Sequence, residues 1–394
     1  MARFTWAEHR LQPPRRVRSS WPSLLFLTAL AGTAGAVPRA TVRGLFPGGR
    51  GTVHVGPSPR GLASTAARRC ADCHADIAAE WRASMHASSW SDPVFRTAYA
   101  VEPMAFCRNC HAPTHTGTVP AGLAADDGVS CEVCHVRGGH VLAASASTRA
   151  PHAMQVVAGL RSSAYCAGCH QFDFPGDAGR AGVRFDTHEP MQDTFAEWRD
   201  SAAGRNGTPC QDCHMPWVDG PGGARHRSHR FPGGRDLALL RSAVSVEVST
   251  RREPAGTRVT FTVTSRALGH SFPTGDLFRR AELTASWDDD AASAVRAGLA
   301  RSFADVPTSV PGATLTFLRR QVGDTRLPAA GLGAPVTVSV LLPGPPRAAP
   351  IRWSFDHLLM PTPLAASQGV GEPRNRLVVL TGAVVPPSPE GASP

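Results

Sequence analysis

Apolar and polar side chains alternate through the last third of the chain. Residues two apart are apolar in five short segments, which are Val244/Val246/Val248, Val259/Phe261/Val263, Leu283/Ala285/Trp287, Val336/Val338/Val340 and Leu377/Val379. This two-residue period is typical of strands that bury one face. Turn-rich links at 252–256 and 342–347 separate some of these segments. The pattern predicts a β-sandwich, immunoglobulin-like in topology, over residues 236–394.

Residues 70–235 follow a different pattern, in which short helical stretches alternate with loops rich in Gly and Pro. The positions at helical spacing are Ile77, Trp81, Met85 and Ser88, and then the segment from Phe195 to Trp198. The loops include 113–122 and 175–182. We therefore predict the α+β class, with a helical, loop-rich domain at 70–235 followed by the sandwich. A length of 394 residues also favours more than one domain.

The first 36 residues have the three parts of an export signal. Arginines at 10, 15, 16 and 18 precede an apolar run from Trp21 to Leu30, and Ala34-Gly35-Ala36 resembles a cleavage site. We predict a signal peptide at 1–36 and a mature protein in the periplasm or another compartment outside the cytoplasm. An uncleaved anchor is the alternative, but the run is shorter than the roughly 20 residues of a spanning helix. Residues 37–69, rich in Gly, Pro and Arg, predict a flexible basic linker.

Five copies of the pattern C-x-x-C-H use all ten cysteines of the chain. The copies are Cys70-Ala-Asp-Cys73-His74, Cys107-Arg-Asn-Cys110-His111, Cys131-Glu-Val-Cys134-His135, Cys166-Ala-Gly-Cys169-His170 and Cys210-Gln-Asp-Cys213-His214. Two thiols three positions apart can each form a thioether with a porphyrin vinyl group, while the adjoining imidazole binds the iron. The pattern therefore predicts five covalently attached haem c groups.

Two other uses of paired cysteines fit less well. Zinc sites usually combine two C-x-x-C pairs, and redox-active C-x-x-C centres do not require a histidine after the second cysteine. An exported chain with ten cysteines could also form disulfides, but the histidine after every pair favours thioethers.

The distribution of charge along the chain bears on the class of partner that the protein binds. The formal net charge is +10, yet the whole excess lies in the first 69 residues, and residues 70–394 are neutral. Haem propionates would make the folded body acidic, so nucleic-acid binding is disfavoured. All 41 basic residues are Arg, which excludes a lysine-ligated haem.

Nine further histidines in residues 70–394 are candidates for the sixth ligand of an iron. They are His86, His115, His140, His152, His188, His226, His229, His270 and His357. If residues 74–86 formed one helix, His74 and His86 would be about 18 Å apart, so His86 would reach a neighbouring haem. His115 is interpreted as a solvated loop residue. Methionine ligands are the competing class, but Met more often fills space in a core.

The motifs and their flanks resemble the multihaem c-type cytochrome family typified by the tetrahaem electron acceptor of ammonia oxidisers. The matching stretches beyond the haem motifs are Glu80-Trp81-Arg-Ala-Ser84-Met-His86, Asp127-Gly-Val-Ser130, Pro151-His152, Thr194-Phe-Ala-Glu-Trp198-Arg-Asp-Ser201, Met215-Pro216, His229-Arg-Phe-Pro-Gly-Gly234, Gly269-His270-Ser-Phe-Pro-Thr-Gly275 and Asp324-Thr-Arg-Leu-Pro328. This resemblance implies that His86, His152 and His229 are sixth ligands and that His270 reaches a haem from the β-region.

Taken together, these patterns predict an exported pentahaem cytochrome that passes single electrons between redox protein partners through mainly bis-histidine haems. The alternative is a multihaem oxidoreductase in which one haem with an open sixth position converts nitrite, hydroxylamine, nitric oxide or a small sulfur compound. The electron carrier is favoured, and no catalytic residue is assigned. No integral membrane span is predicted in the mature protein.

Overall fold

The structure, a computed structural model, describes residues 53–115, 127–175, 183–220, 223–308, 316–345 and 347–387. The predicted signal peptide and the first part of the predicted linker lie outside these ranges. None of the described helices is both long and apolar enough to cross a membrane.

The first half of the chain contains short helices joined by turns. The α-helices are α1 (Ala67–Cys70), α2 (Ala75–Arg82), α3 (Pro93–Val101), α4 (Ala105–His111), α5 (Cys131–His135), α6 (Ala167–His170), α7 (Thr194–Asp200), α8 (Ala202–Arg205) and α9 (Cys210–His214). Two 3₁₀ turns, at Ala158–Arg161 and Ser163–Tyr165, precede α6. Such short helices are not stable alone and depend on tertiary packing.

Local chemistry sets some of these helix ends. Asp92 caps α3, because its Oδ1 accepts hydrogen bonds from the backbone N–H groups of Val94 and Phe95, and a proline follows it at the first helical position. Helix α2 ends at Arg82, where the Ser84 hydroxyl donates to the Trp81 carbonyl. The helical spacing had predicted a longer helix that reached Met85, and this was wrong.

Small strands tie the loops of this region together. They are β1 (Val136–Arg137), β2 (His140–Ala143), β3 (Met154–Val156), β4 (Phe172–Asp173), β5 (Val183–Phe185), β6 (Pro190–Gln192), β7 (Trp217–Asp219) and β8 (Arg225–Arg227). β1, β2 and β3 form one sheet, while β4 pairs with β6 and β7 pairs with β8.

The second half of the chain contains two β-sheets. After helix α10 (Leu237–Ala243) the strands are β9 (Val244–Glu253), β10 (Gly256–Ser265), β11 (Arg280–Trp287), β12 (Asp290–Thr308), β13 (Thr316–Asp324), β14 (Val336–Pro343), β15 (Ile351–Leu358) and β16 (Arg376–Val384), with helices α11 (Thr362–Ser367) and α12 (Glu372–Asn375) before β16. One sheet has the order β14-β10-β9, and the other has the order β16-β15-β11-β12-β13-β5. The predicted α+β class is confirmed; the immunoglobulin-like topology stays a prediction.

Both sheets contribute to one apolar core. The alternating residues of β10 and β11 face this core, as do residues of β14, β15 and β16. Its largest fully buried side chains are Trp287, Phe261, Phe355, Leu283, Leu299, Leu327, Leu342 and Ile351. All five alternating segments of the sequence therefore lie in strands, as predicted.

The helical region and the β-region pack against each other within a single compact unit, Arg39–Pro394. β5 comes from the helical region and extends the six-stranded sheet by pairing in parallel with β13. At the same contact, Arg326 of the β-region forms an ion pair with Glu197 of α7 at 2.7 Å, and both side chains are only 8% exposed. The β-region is thus joined to the helical region by backbone pairing and by a buried charge pair.

Candidate functional site

Each C-x-x-C-H motif is associated with a short helix. The first motif lies at the junction of two helices, where Cys70 ends α1 and His74 caps α2. The other four motifs lie within or at the ends of α4, α5, α6 and α9, which all finish at the motif histidine. A helical turn places the two cysteines three positions apart on one face, as attachment to a single porphyrin requires.

Cysteine side chains of different motifs contact one another. The contacting pairs are Cys70 with Cys131, Cys110 with Cys169, and Cys166 with Cys210. The hydrogen bond from Cys131 lowers the pKa of Cys70 to about 7, and the hydrogen bond from Cys166 lowers the pKa of Cys210 to about 7. The first motif is therefore adjacent to the third, and the fourth is adjacent to both the second and the fifth.

Three motif histidines face an imidazole from another part of the chain. The ring centroids of His135 and His229 are 6.1 Å apart, those of His214 and His270 are 6.1 Å apart, and those of His86 and His170 are 6.3 Å apart.

This spacing fits a metal ion between the two rings. A metal–imidazole bond is about 2 Å long, so two rings bound on opposite sides of one ion have centroids about 6 Å apart. The interplanar angles of the three pairs range from 12° to 55°. Such variation is compatible with axial ligation, because each ring can rotate about its bond to the metal.

Four of the six paired imidazoles are held in the neutral form that binds metals. Burial, followed by the nearby His170, lowers the pKa of His86 to about 3. Burial is also the main cause that lowers the pKa values of His170, His229 and His270 to about 4. Neutral imidazole nitrogen is the donor that iron requires, so these sites can ligate a metal without first losing a proton.

Backbone carbonyls orient several of these rings through Nδ1, which leaves Nε2 for a ligand. The pairs are His111 with Ser89 at 2.7 Å, His135 with Leu142 at 2.9 Å, His214 with Pro232 at 2.6 Å, His229 with Arg227 at 2.8 Å and His270 with Ser271 at 3.0 Å. Nδ1–H donation to a carbonyl fixes both the tautomer and the direction of the ring, as is usual for metal-bound histidine.

His74 and His111 differ from the other motif histidines. In the part of the chain that the structure describes, neither has a ring contact with a second imidazole. His111 instead stacks on Phe95, with ring centroids 3.7 Å apart and planes 7° apart. His152, predicted as a sixth ligand, lies beside Gly61, and its Nδ1 is buried without a hydrogen-bond partner. The role of His152 stays a prediction.

His115 corrects one interpretation of the sequence. It was interpreted as a solvated loop residue, but its side chain is half-buried, and its Nδ1 is buried without a hydrogen-bond partner. Its neighbour Pro113 accepts a hydrogen bond from the backbone N–H of Val53, which covers this loop. His115 is therefore only partly solvated.

Gly128 holds the segment that carries His86. It has φ +45°, and a Cβ there would lie 2.6 Å from the carbonyl oxygens of both His86 and Ala87. The next residue, Val129, donates its N–H to the His86 carbonyl at 2.9 Å. Only glycine fits this position without moving the His86 backbone.

We expect Gly128→Ala to destabilise the protein by about 2 kcal/mol or more and to displace His86 from His170. Thermal unfolding and the high-spin haem signal measure these two effects. Gly138→Ala is the matched control, because Gly138 has φ +53° but nothing within 4 Å of an added Cβ. Equal effects of the two substitutions would mean that the close approach to His86 contributes nothing.

Comparison with known proteins agrees with this site. Residues 69–136 match the family model described as cytochrome c554 and c-prime. The fold is similar to that of a penta-heme cytochrome c552 from Thermochromatium tepidum, with a TM-score of 0.60 and 21% sequence identity over 83% of this chain and 100% of that chain. Residues 69–136 thus resemble a c-type cytochrome family, and the fold resembles that of a multihaem cytochrome.

No curated protein sequence matches this chain. The family match ends just after the third motif, whereas the structural similarity extends over most of the chain, including much of the β-region. The ring pair between His214 and His270 joins the helical region to the β-region.

Proposed function

We propose that this cytochrome is an exported electron carrier with five covalent haem c groups, which passes single electrons between redox protein partners. The observation that carries the proposal is the set of three imidazole pairs, each joining a motif histidine to a histidine of another segment at 6.1 to 6.3 Å. Haem supplies one-electron redox chemistry, while the chain supplies the axial ligands, the burial and the spacing.

We assign the ligands from these pairs. Cys70, Cys73, Cys107, Cys110, Cys131, Cys134, Cys166, Cys169, Cys210 and Cys213 are proposed as thioether positions, and His74, His111, His135, His170 and His214 as proximal ligands. His229, His86 and His270 are the proposed sixth ligands at the third, fourth and fifth motifs. Two imidazole ligands on an iron favour a low-spin haem with no vacant position, which suits electron transfer better than substrate binding.

Contacts between thiols of different motifs also support the proposal. The pairs Cys70–Cys131, Cys110–Cys169 and Cys166–Cys210 require that porphyrins bonded to them be neighbours. Close neighbours are what an electron carrier with several redox groups needs. The fourth motif takes part in two of the three contacts and is therefore the proposed branch point.

The β-region is proposed to have immunoglobulin-like topology. β9, β10 and β14 correspond in order to strands A, B and E of such a fold, while β11, β15 and β16 correspond to C, F and G. The added strands β12 and β13 extend the second sheet, as extra strands do in variable-type domains. This region is proposed to cover haem groups and to donate His270.

Export is proposed from the signal-like segment at 1–36. An extracytoplasmic location, such as the periplasm, fits covalent haem c, and the redox partners are proposed to be proteins of the same compartment.

A second function is favoured by one observation. His111 is covered by Phe95 and, among the described residues, has no ring contact with another imidazole. A haem at this motif with an open sixth position would fit an oxidoreductase that acts on a small nitrogen or sulfur compound.

Mass spectrometry and a carbon monoxide titration of the purified mature protein test both functions. We expect five covalent haem adducts, one on each C-x-x-C-H peptide. If all haem is low-spin and does not bind carbon monoxide, the electron carrier is supported. If one haem per protein is high-spin and binds carbon monoxide, the oxidoreductase is supported. Fewer than five adducts in fully matured protein would contradict the pentahaem proposal.

A further inference from the structure

Three arginines near the contact between the helical region and the β-region differ in what they bind. Arg326 forms ion pairs at 2.7 Å with both Glu197 and Asp324. Arg301 donates to the backbone carbonyls of Pro190 and Met191. Both guanidinium groups therefore have partners that suit a buried cation.

Arg279 lacks such partners. Its side chain donates one hydrogen bond, from Nη1 to the Leu359 carbonyl at 3.1 Å. Within the described ranges, no carboxylate lies close enough to form a salt bridge with it. A guanidinium has five N–H donors in a planar fork, so most of its capacity is unused. Burial lowers the pKa of Arg279, and the nearby carboxylates of Asp276 and Asp92 only partly offset this effect.

The nearest acidic groups are engaged elsewhere. Asp276 accepts a hydrogen bond from the Phe278 backbone N–H at 2.9 Å. Asp92 caps α3 through Oδ1, and its Oδ2 is 3.9 Å from Arg235. The partner of Arg279 is therefore not supplied by these carboxylates.

Arg279 lies near the second haem motif. Leu359, whose carbonyl it contacts, packs in one apolar cluster with Val94 of α3. The next residue of α3, Phe95, stacks on His111. Nearby His357 is 4% exposed, and burial together with Arg279 and Arg235 lowers its pKa to about 3, so its imidazole stays neutral. The unused N–H donors of Arg279 are therefore available to an added negative group.

We propose that Arg279 binds an anionic group beside the second motif, either a propionate of the haem attached there or a small oxyanion such as nitrite. Both have oxygen atoms that match the fork of a guanidinium. The inference rests on the proposal that Cys107 and Cys110 carry a haem. The positive charge of Arg279 near that haem stabilises the reduced state and raises the reduction potential of the haem.

Spectroelectrochemical titration of the mature holoprotein tests the proposal. We expect Arg279→Gln to lower the potential of one haem by about 59 mV or more, which is a tenfold change in its one-electron equilibrium constant. Arg279→Lys, which keeps the charge, should retain most of the wild-type potential. The control is Arg352→Gln, because Arg352 is exposed and pairs with Asp288 on the surface of the β-region.

Sodium nitrite separates the two sources of the anion. If the group is a propionate, the wild-type potentials do not respond to nitrite and only Arg279→Gln shifts one of them. If it is a small oxyanion, nitrite shifts one wild-type potential saturably, and the substitution abolishes this response. The inference is overturned if neither nitrite nor the substitution shifts a potential, provided that the variant has wild-type haem content.

Two further measurements keep the outcomes distinct. Mapping haem to the peptide that contains Cys107 and Cys110 tests the proposed function separately. If this peptide carried no haem, the proposed function would be refuted at this motif, and not only the binding of an anion by Arg279. If Arg279→Gln does not mature, a structure of the wild-type holoprotein decides. A propionate or anion within about 4 Å of the guanidinium supports the inference, and its absence overturns it.

Discussion

Replacing His270 with alanine is expected to convert one haem, that of the fifth motif, from low spin to high spin. The reason is the ring pair with His214, whose centroids are 6.1 Å apart and whose planes differ by only 12°. Removal of the β-region imidazole leaves the iron with one axial ligand, and a vacant position binds carbon monoxide. About one fifth of the total haem should change in EPR and in the optical titration.

Two other substitutions make this result specific. His229→Ala should produce a second, separate high-spin signal, because His229 faces His135 at 6.1 Å. His188→Ala should leave the spectra unchanged, since His188 is exposed. An unchanged spectrum in His270→Ala, with five haems still attached, would rule out the assignment of His270.

Arg326→Met is expected to lower the free energy of unfolding by about 3 to 5 kcal/mol. Arg326 and Glu197 are each 8% exposed, so loss of the guanidinium leaves the Glu197 carboxylate buried without its counter-charge. Thr274 donates a hydrogen bond to Glu197 at 2.7 Å but carries no charge. Urea unfolding followed by far-ultraviolet circular dichroism measures the loss.

The exposed pair of Arg352 and Asp288 provides the control for this substitution. Arg352→Met should cost less than about 1 kcal/mol, because solvent screens an exposed ion pair. Equal losses in the two variants would show that burial of the Arg326 pair does not determine its contribution.

The strands with large apolar side chains at alternate positions could be predicted from sequence, whereas others could not. β12 was missed because its residues from Ala291 to Ala297 are mostly small, and its burial does not alternate cleanly. β15 carried a usable signal, since Ile351, Trp353 and Phe355 alternate. β5 has only three residues and depends on a partner strand more than 130 residues away, so no local pattern could predict it.

The motifs themselves were plain in the sequence because the chemistry of attachment fixes their spacing. The sequence did not show which histidine pairs with which motif histidine, because nine further histidines were available and the contacts depend on the tertiary fold. The resemblance pointed to His86, His152, His229 and His270. All except His152 lie opposite a motif histidine in the part of the chain that the structure describes. Arg279 was missed altogether, since within the described ranges it lacks only a carboxylate partner, and in sequence it looks like any of the other forty arginines.

Under the proposed ligand set, the loop that carries His270 gives the β-region a role in maturation. Thioethers at Cys210 and Cys213 can form on an extended chain, but the imidazole opposite His214 arrives only once the β-region has folded and docked. The colour of the fifth haem then reports whether the β-region has reached its native position. Truncation before residue 270 would leave a coloured but incompletely ligated cytochrome.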